Sequence, residues 1–153
     1  MSCSERLRPA YCGLLRLALW LALCVPGADA ADALEIVIVS ASAGNVATLE
    51  RGIAEQLYLG QRSQLADGHQ ITVIDLPAGA IRDHFYRTLT GKKPSQIRAY
   101  WSRLVFTGRA RPPREATSVE NAIELIIANP DAIGYLPAEA AQHPGLKVLQ
   151  QLD

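Results

Sequence analysis

The 153-residue chain carries 15 Lys and Arg against 15 Asp and Glu, and 49% of it is hydrophobic. That balance gives no net positive charge to draw the chain to nucleic acid or anionic lipid. Cys3, Cys12 and Cys24 all fall within the first 30 residues, which excludes a disulfide, a thiolate metal site or a cysteine nucleophile in the remainder.

Residues 1–30 have the three zones of a secretory signal: a basic front with Arg6 and Arg8, an apolar run over 14–25, and Ala28-Asp29-Ala30 as a small-x-small cleavage site. Arg16 interrupts the run, and the uninterrupted part is far shorter than the about 20 residues that span a bilayer. Leu23, ahead of Cys24, argues against lipid attachment. The expectation is a cleaved leader over 1–30, one domain over 31–153 and a periplasmic location, where a thiol-free chain is at home. Removing Arg6, Arg8 and Arg16 from 15 basic residues leaves twelve, and removing Glu5 and Asp29 from 15 acidic ones leaves thirteen, so the domain is close to neutral.

The nearly continuous β-branched run over 34–39 predicts a strand covered on both faces, followed by the turn Ser40-Ala41-Ser42-Ala43-Gly44-Asn45. Leu49, Ile53, Leu57 and Tyr58 at helical spacing predict a helix over 46–59, capped by Asn45 and stopped by Gly60. A strand over 71–76 then passes through Pro77-Ala78-Gly79-Ala80 into a helix from Ile81 to about Leu89, closed by Gly91. Pro94 opens a further helix whose Ile97, Tyr100, Trp101, Leu104 and Val105 share one face, so that the two aromatics read as core. Thr117-Ser118-Val119-Glu120 has capping-box spacing ahead of a helix over about 118–129. Two short strands at 132–136 and 147–152 follow, separated by a helical turn. This alternation predicts an α/β layered domain.

Two strand-to-helix turns carry the candidate site. At Ala78-Gly79-Ala80 the first helical N–H groups stay free and the small residues admit a ligand to the backbone, with Arg82 adding charge; Gly79, Ala80 and Arg82 are the candidate ligands. In the earlier loop, Ser40, Ser42, Gly44 and Asn45 offer further donors. If the two preceding strands are parallel, both loops meet at one carboxyl-end rim, where open α/β sheets bind ligands. The bland reading is that these residues only cap and pack their helices. Arg109, Arg111 and Arg114 around Pro112-Pro113 suit either an oxyanion, an acidic partner or a solvated loop. His69, His84 and His143 are too scattered for a zinc site, and no metal or cofactor is expected. Asp75 ends a strand and Asp83 begins a helix, yet no nucleophile motif accompanies them, so an enzyme is not expected.

Taken in order, Leu57-Tyr58-Leu59-Gly60, Asp67-Gly68, the Gly/Ala turn, Arg82 with Phe85-Tyr86, the Trp101 helix and Asp131-Ala132-Ile133-Gly134-Tyr135 resemble the second lobe of periplasmic phosphate-type substrate-binding proteins of ABC transporters. There the matching segments read roughly F-L-G-K, W-x-D-G, S-G-T-R, F and P-G-A-I-G-Y. The resemblance implies a single-lobe periplasmic binding protein-like domain with a mixed, mainly parallel sheet flanked by helices. It implies recognition of phosphate or another small oxyanion, with an ABC permease or other periplasmic protein as partner. In either register of the turn, both S-G-T-R hydroxyls are missing, and each absent bond to a charged ligand is worth about 1.5–3 kcal/mol. The alternative is a periplasmic interaction or sensory module that kept the fold and lost the ligand.

Overall fold

The structure, a computed structural model, describes residues 34–152. The expected leader lies outside the described residues. Ile36–Ala41 forms β1, and all six of its residues are buried, as a run of branched apolar side chains covered on both faces requires. The order continues with α1 (Arg51–Tyr58), β2 (Thr72–Asp75), α2 (Ala80–Thr90), α3 (Pro94–Phe106), β3 (Arg114–Glu115), α4 (Val119–Ile127), β4 (Ala132–Pro137), a 3-10 turn (Ala140–Gln142) and β5 (Leu146–Leu152).

The strands lie side by side as β3-β2-β4-β1-β5. β2 pairs parallel with β3 and β4, while β1 pairs antiparallel with β4 and β5. Four strands therefore point one way and β1 alone points back, a mixed and mainly parallel α/β sheet. Adjacent residues of β4 face opposite sides, and the helices sort accordingly. A Cβ on Gly134 would overlap the Ile126 side chain of α4, so that helix rides close on one face. On the other face Tyr135 stacks on Phe85 of α2 at 3.6 Å between ring centroids, with Tyr58 of α1 set edge-on to Phe85 at 4.6 Å.

Four expectations need correction. The helix expected from 46 begins only at Arg51, with Glu50 in extended backbone as its N-cap. Residues 46–50 instead run without helix and insert Val46 and Leu49 into the core, while Asn45 donates its side-chain amide to Asp131 rather than capping anything. Val105, expected to share the face of Ile97 and Trp101, is 53% exposed and Phe106, the last residue of α3, is 92% exposed, while Ile97 and Trp101 are buried. The arginine segment at 109–114, read as a connection, ends in β3, an edge strand of two residues. The capping signal at 117–120 acts one residue later, where Ser118 accepts the N–H of Asn121.

Candidate functional site

The two candidate loops lie at opposite ends of the sheet. Ser40 pairs with Ile133 near the start of β4 and Thr72, the first residue of β2, with Ala132, whereas the β2–α2 turn leaves from the other end of β2. The shared rim expected for parallel strands does not form, because β1 runs against β2. Ser40 is fully buried and its hydroxyl donates to the Val46 carbonyl at 3.4 Å. The N–H groups of Ser42, Gly44 and Asn45 donate to Gly145, Ala41 and Pro130, and the Lys147 ammonium donates to the Gly44 carbonyl. These contacts tie the end of β1 to its neighbours, and they occupy the donors an anion would need.

The β2–α2 turn is organised differently. Ala78, Gly79 and Ala80 are exposed, and Gly79 is the N-cap in fully extended backbone with no side-chain cap. The first helical bond runs from the Asp83 N–H to the Gly79 carbonyl, so the N–H groups of Ala80, Ile81 and Arg82 precede the ladder and face the turn. Their partial positive charge suits an anion, and the Asp83 carboxylate in the first turn competes for it.

Arg82 has a partner that the linear pattern did not reveal. Its Nε donates at 3.0 Å to Oδ2 of Asp75, whose side chain is only 4% exposed, and its guanidinium lies 4.9 Å from the centre of the Tyr86 ring. Tyr86 donates its hydroxyl to the same oxygen at 3.1 Å, and Tyr135 donates to Oδ1 at 2.6 Å while accepting the Leu76 N–H at 3.2 Å. A carboxylate in so dry a place persists only when paired and hydrogen-bonded, and three donors meet that need. Burial, then the Asp75 charge, pushes the Tyr86 and Tyr135 hydroxyls well above their ordinary value. Burial acts to lower Arg82, and Asp75 outweighs it and holds the guanidinium firmly protonated. The signal available in the sequence was an acid between Ile74 and Leu76 in an apolar strand; Tyr86 and Tyr135 stood out only as parts of the segments that carry the family resemblance.

Of the candidate residues, Gly79, Ala80 and Arg82 are thus brought together, and Ser40, Ser42, Gly44 and Asn45 are not joined to them. Among the described residues no three His, Cys, Asp or Glu side chains cluster as a metal site, and no helix is long and apolar enough to cross a membrane.

No family model matches the chain, and no curated protein matches it by sequence. Solved structures do match it. An ABC-type phosphate transport receptor from Vibrio cholerae superposes at TM-score 0.57 with 18% identity, over 76% of this chain and 45% of that one. A protein of Clostridium perfringens assigned as a phosphate ABC transporter substrate-binding protein, with phosphate bound, gives 0.58 and 16% over 76% and 44%. A candidate phosphate-binding protein from Planctomyces limnophilus gives 0.56 and 13% over 76% and 40%. The chain spans less than half the length of these neighbours, and at such identity the likeness concerns the fold. In fold, this chain resembles the phosphate-type substrate-binding proteins of ABC transporters over the span of a single lobe.

Proposed function

We propose that this chain is a periplasmic solute-binding-type domain that recognises phosphate or a similar small oxyanion at the entrance of α2, in the service of an ABC permease. The observation that carries this reading is the uncapped, exposed helix start beside an arginine whose Nε is fixed by a buried carboxylate. A guanidinium has five N–H donors, and the single bond from Nε to Asp75 leaves the two terminal nitrogens for a ligand. The pairing with Asp75 sets the direction of Arg82, and the backbone N–H groups supply the rest. With the loop at 40–45 at the far end of the sheet, this chain offers one wall of a site, and a second lobe or a second copy would supply the other.

Calorimetric titration and melting curves with phosphate and sulfate test it. A ligand-dependent rise in melting temperature that Arg82→Ala abolishes supports the reading. Ala80→Thr, which restores a hydroxyl at the turn, should tighten phosphate binding about tenfold, the value of roughly 1.4 kcal/mol. No response to either anion, with a protein partner recovered by crosslinking, supports the second reading, an interaction module. The exposed Val105 and Phe106 at the end of α3 favour that alternative.

A further inference from the structure

A separate concavity of about 440 Å³ lies between the turn after α1, the first residues of β2 and the strap from α3 to β3. Four arginines line it: Arg62, Arg109, Arg111 and Arg114, with no Asp or Glu on its wall. Among the described residues the ion pairs are His69 with Asp131 and Arg82 with Asp75, so none of the four has a carboxylate partner. In a chain with zero formal net charge, this is a local concentration of positive charge.

The frame around these arginines is stiff. Gly60, at φ 64°, abuts Trp101 so closely that a Cβ would stand 2.7 Å from its ring, and the same Cβ would meet Ala110 at 3.3 Å. The Arg109 N–H donates to the Leu104 carbonyl, Pro112-Pro113 restricts the strap, and Arg114 is pinned by parallel pairing with Ile74. Arg62 is anchored by an Nε bond to the Gln64 carbonyl. Glu115, the acid next to Arg114, does not line the cavity, as strand alternation requires. The backbone that carries the four arginines is thus fixed, and a ligand bearing several negative charges offsets the repulsion among their guanidinium groups.

We infer that this groove is a binding site for a compact ligand carrying two or more phosphoryl groups, distinct from the α2 entrance, which leaves the opposite end of β2. Guanidinium forks match phosphoryl oxygens in bidentate fashion, and the volume lies in the range of small-molecule sites. A single orthophosphate would leave most of it to water, while Leu57, Ile71 and Val73 provide apolar walls for the body of a larger ligand.

Titration of the purified protein with tripolyphosphate, pyrophosphate and orthophosphate at low salt tests the assignment. In Arg82→Ala protein, where the α2 entrance no longer contributes, tripolyphosphate should bind at least about tenfold more tightly than orthophosphate, with affinity falling as salt rises. Arg111→Gln and Arg114→Gln should each weaken it about tenfold without moving the melting temperature of the unligated protein, since both side chains are exposed. Arg109→Lys, which keeps the charge and loses the fork, should retain part of the binding. Arg82→Ala should leave tripolyphosphate binding intact, which separates this site from the one at α2. The inference is overturned if tripolyphosphate binds Arg82→Ala protein no better than orthophosphate does, if the two Gln variants bind it at full strength, or if poly-glutamate binds more tightly than tripolyphosphate and marks the groove as a dock for acidic polypeptide.

Discussion

Asp75 illustrates how much a single buried charge demands of its surroundings. Tyr135 serves it twice, by donating to the carboxylate and by accepting the Leu76 N–H, so Tyr135→Phe strands two buried groups. The expected loss is about 1–3 kcal/mol, measured as a lower urea midpoint at unchanged slope. The same cluster sets a pH dependence. Tyr58, Tyr86 and Tyr135 are all raised above 10.0, chiefly by burial, so the folded state favours the protonated hydroxyl. That contribution is complete below about pH 10 and is lost as pH rises beyond it. The melting temperature should hold to about pH 9 and fall steeply above 10, and Tyr86→Phe should make the fall shallower.

Secondary-structure elements meet closely where glycine permits it, and the same substitution has opposite signs at two sites. Gly134→Ala drives a methyl group into Ile126 and should destabilise the protein by about 1–3 kcal/mol, by separating α4 from β4. Gly52 lies in α1 with nothing within 4 Å of an added Cβ, so Gly52→Ala should stabilise by about 0.5–1 kcal/mol through helix propensity. Equilibrium urea unfolding of the two variants checks both signs. Elements with sustained periodicity, such as α2, α4 and β4, were legible within a residue or two. The start of α1 was not, since Val46 and Leu49 have helical spacing with Ile53 yet reach the core from non-helical chain. Nor was β3 legible, because two residues of parallel pairing carry no period to read.

For the molecule as a whole, the decisive feature is the direction of β1. Because it runs against β2, the loop at its end and the entrance of α2 are separated by the length of the sheet. Asn45→Ala, which removes the bond to Asp131, should therefore leave any phosphate response of the melting temperature unchanged, at a stability cost of about 0.5–1.5 kcal/mol, whereas Arg82→Ala removes the response. The sequence by itself determined the α/β class, the order of strands and helices apart from β3, the burial of β1 and the uncapped Gly/Ala turn, since each is written in local periodicity and turn chemistry. Only the tertiary structure decided that β1 is antiparallel, that Arg82 is held by Asp75 beneath two tyrosine hydroxyls, and that Arg62 joins Arg109, Arg111 and Arg114 around one groove. These depend on which distant segments pair, and a strand's apolar pattern reads the same in either direction.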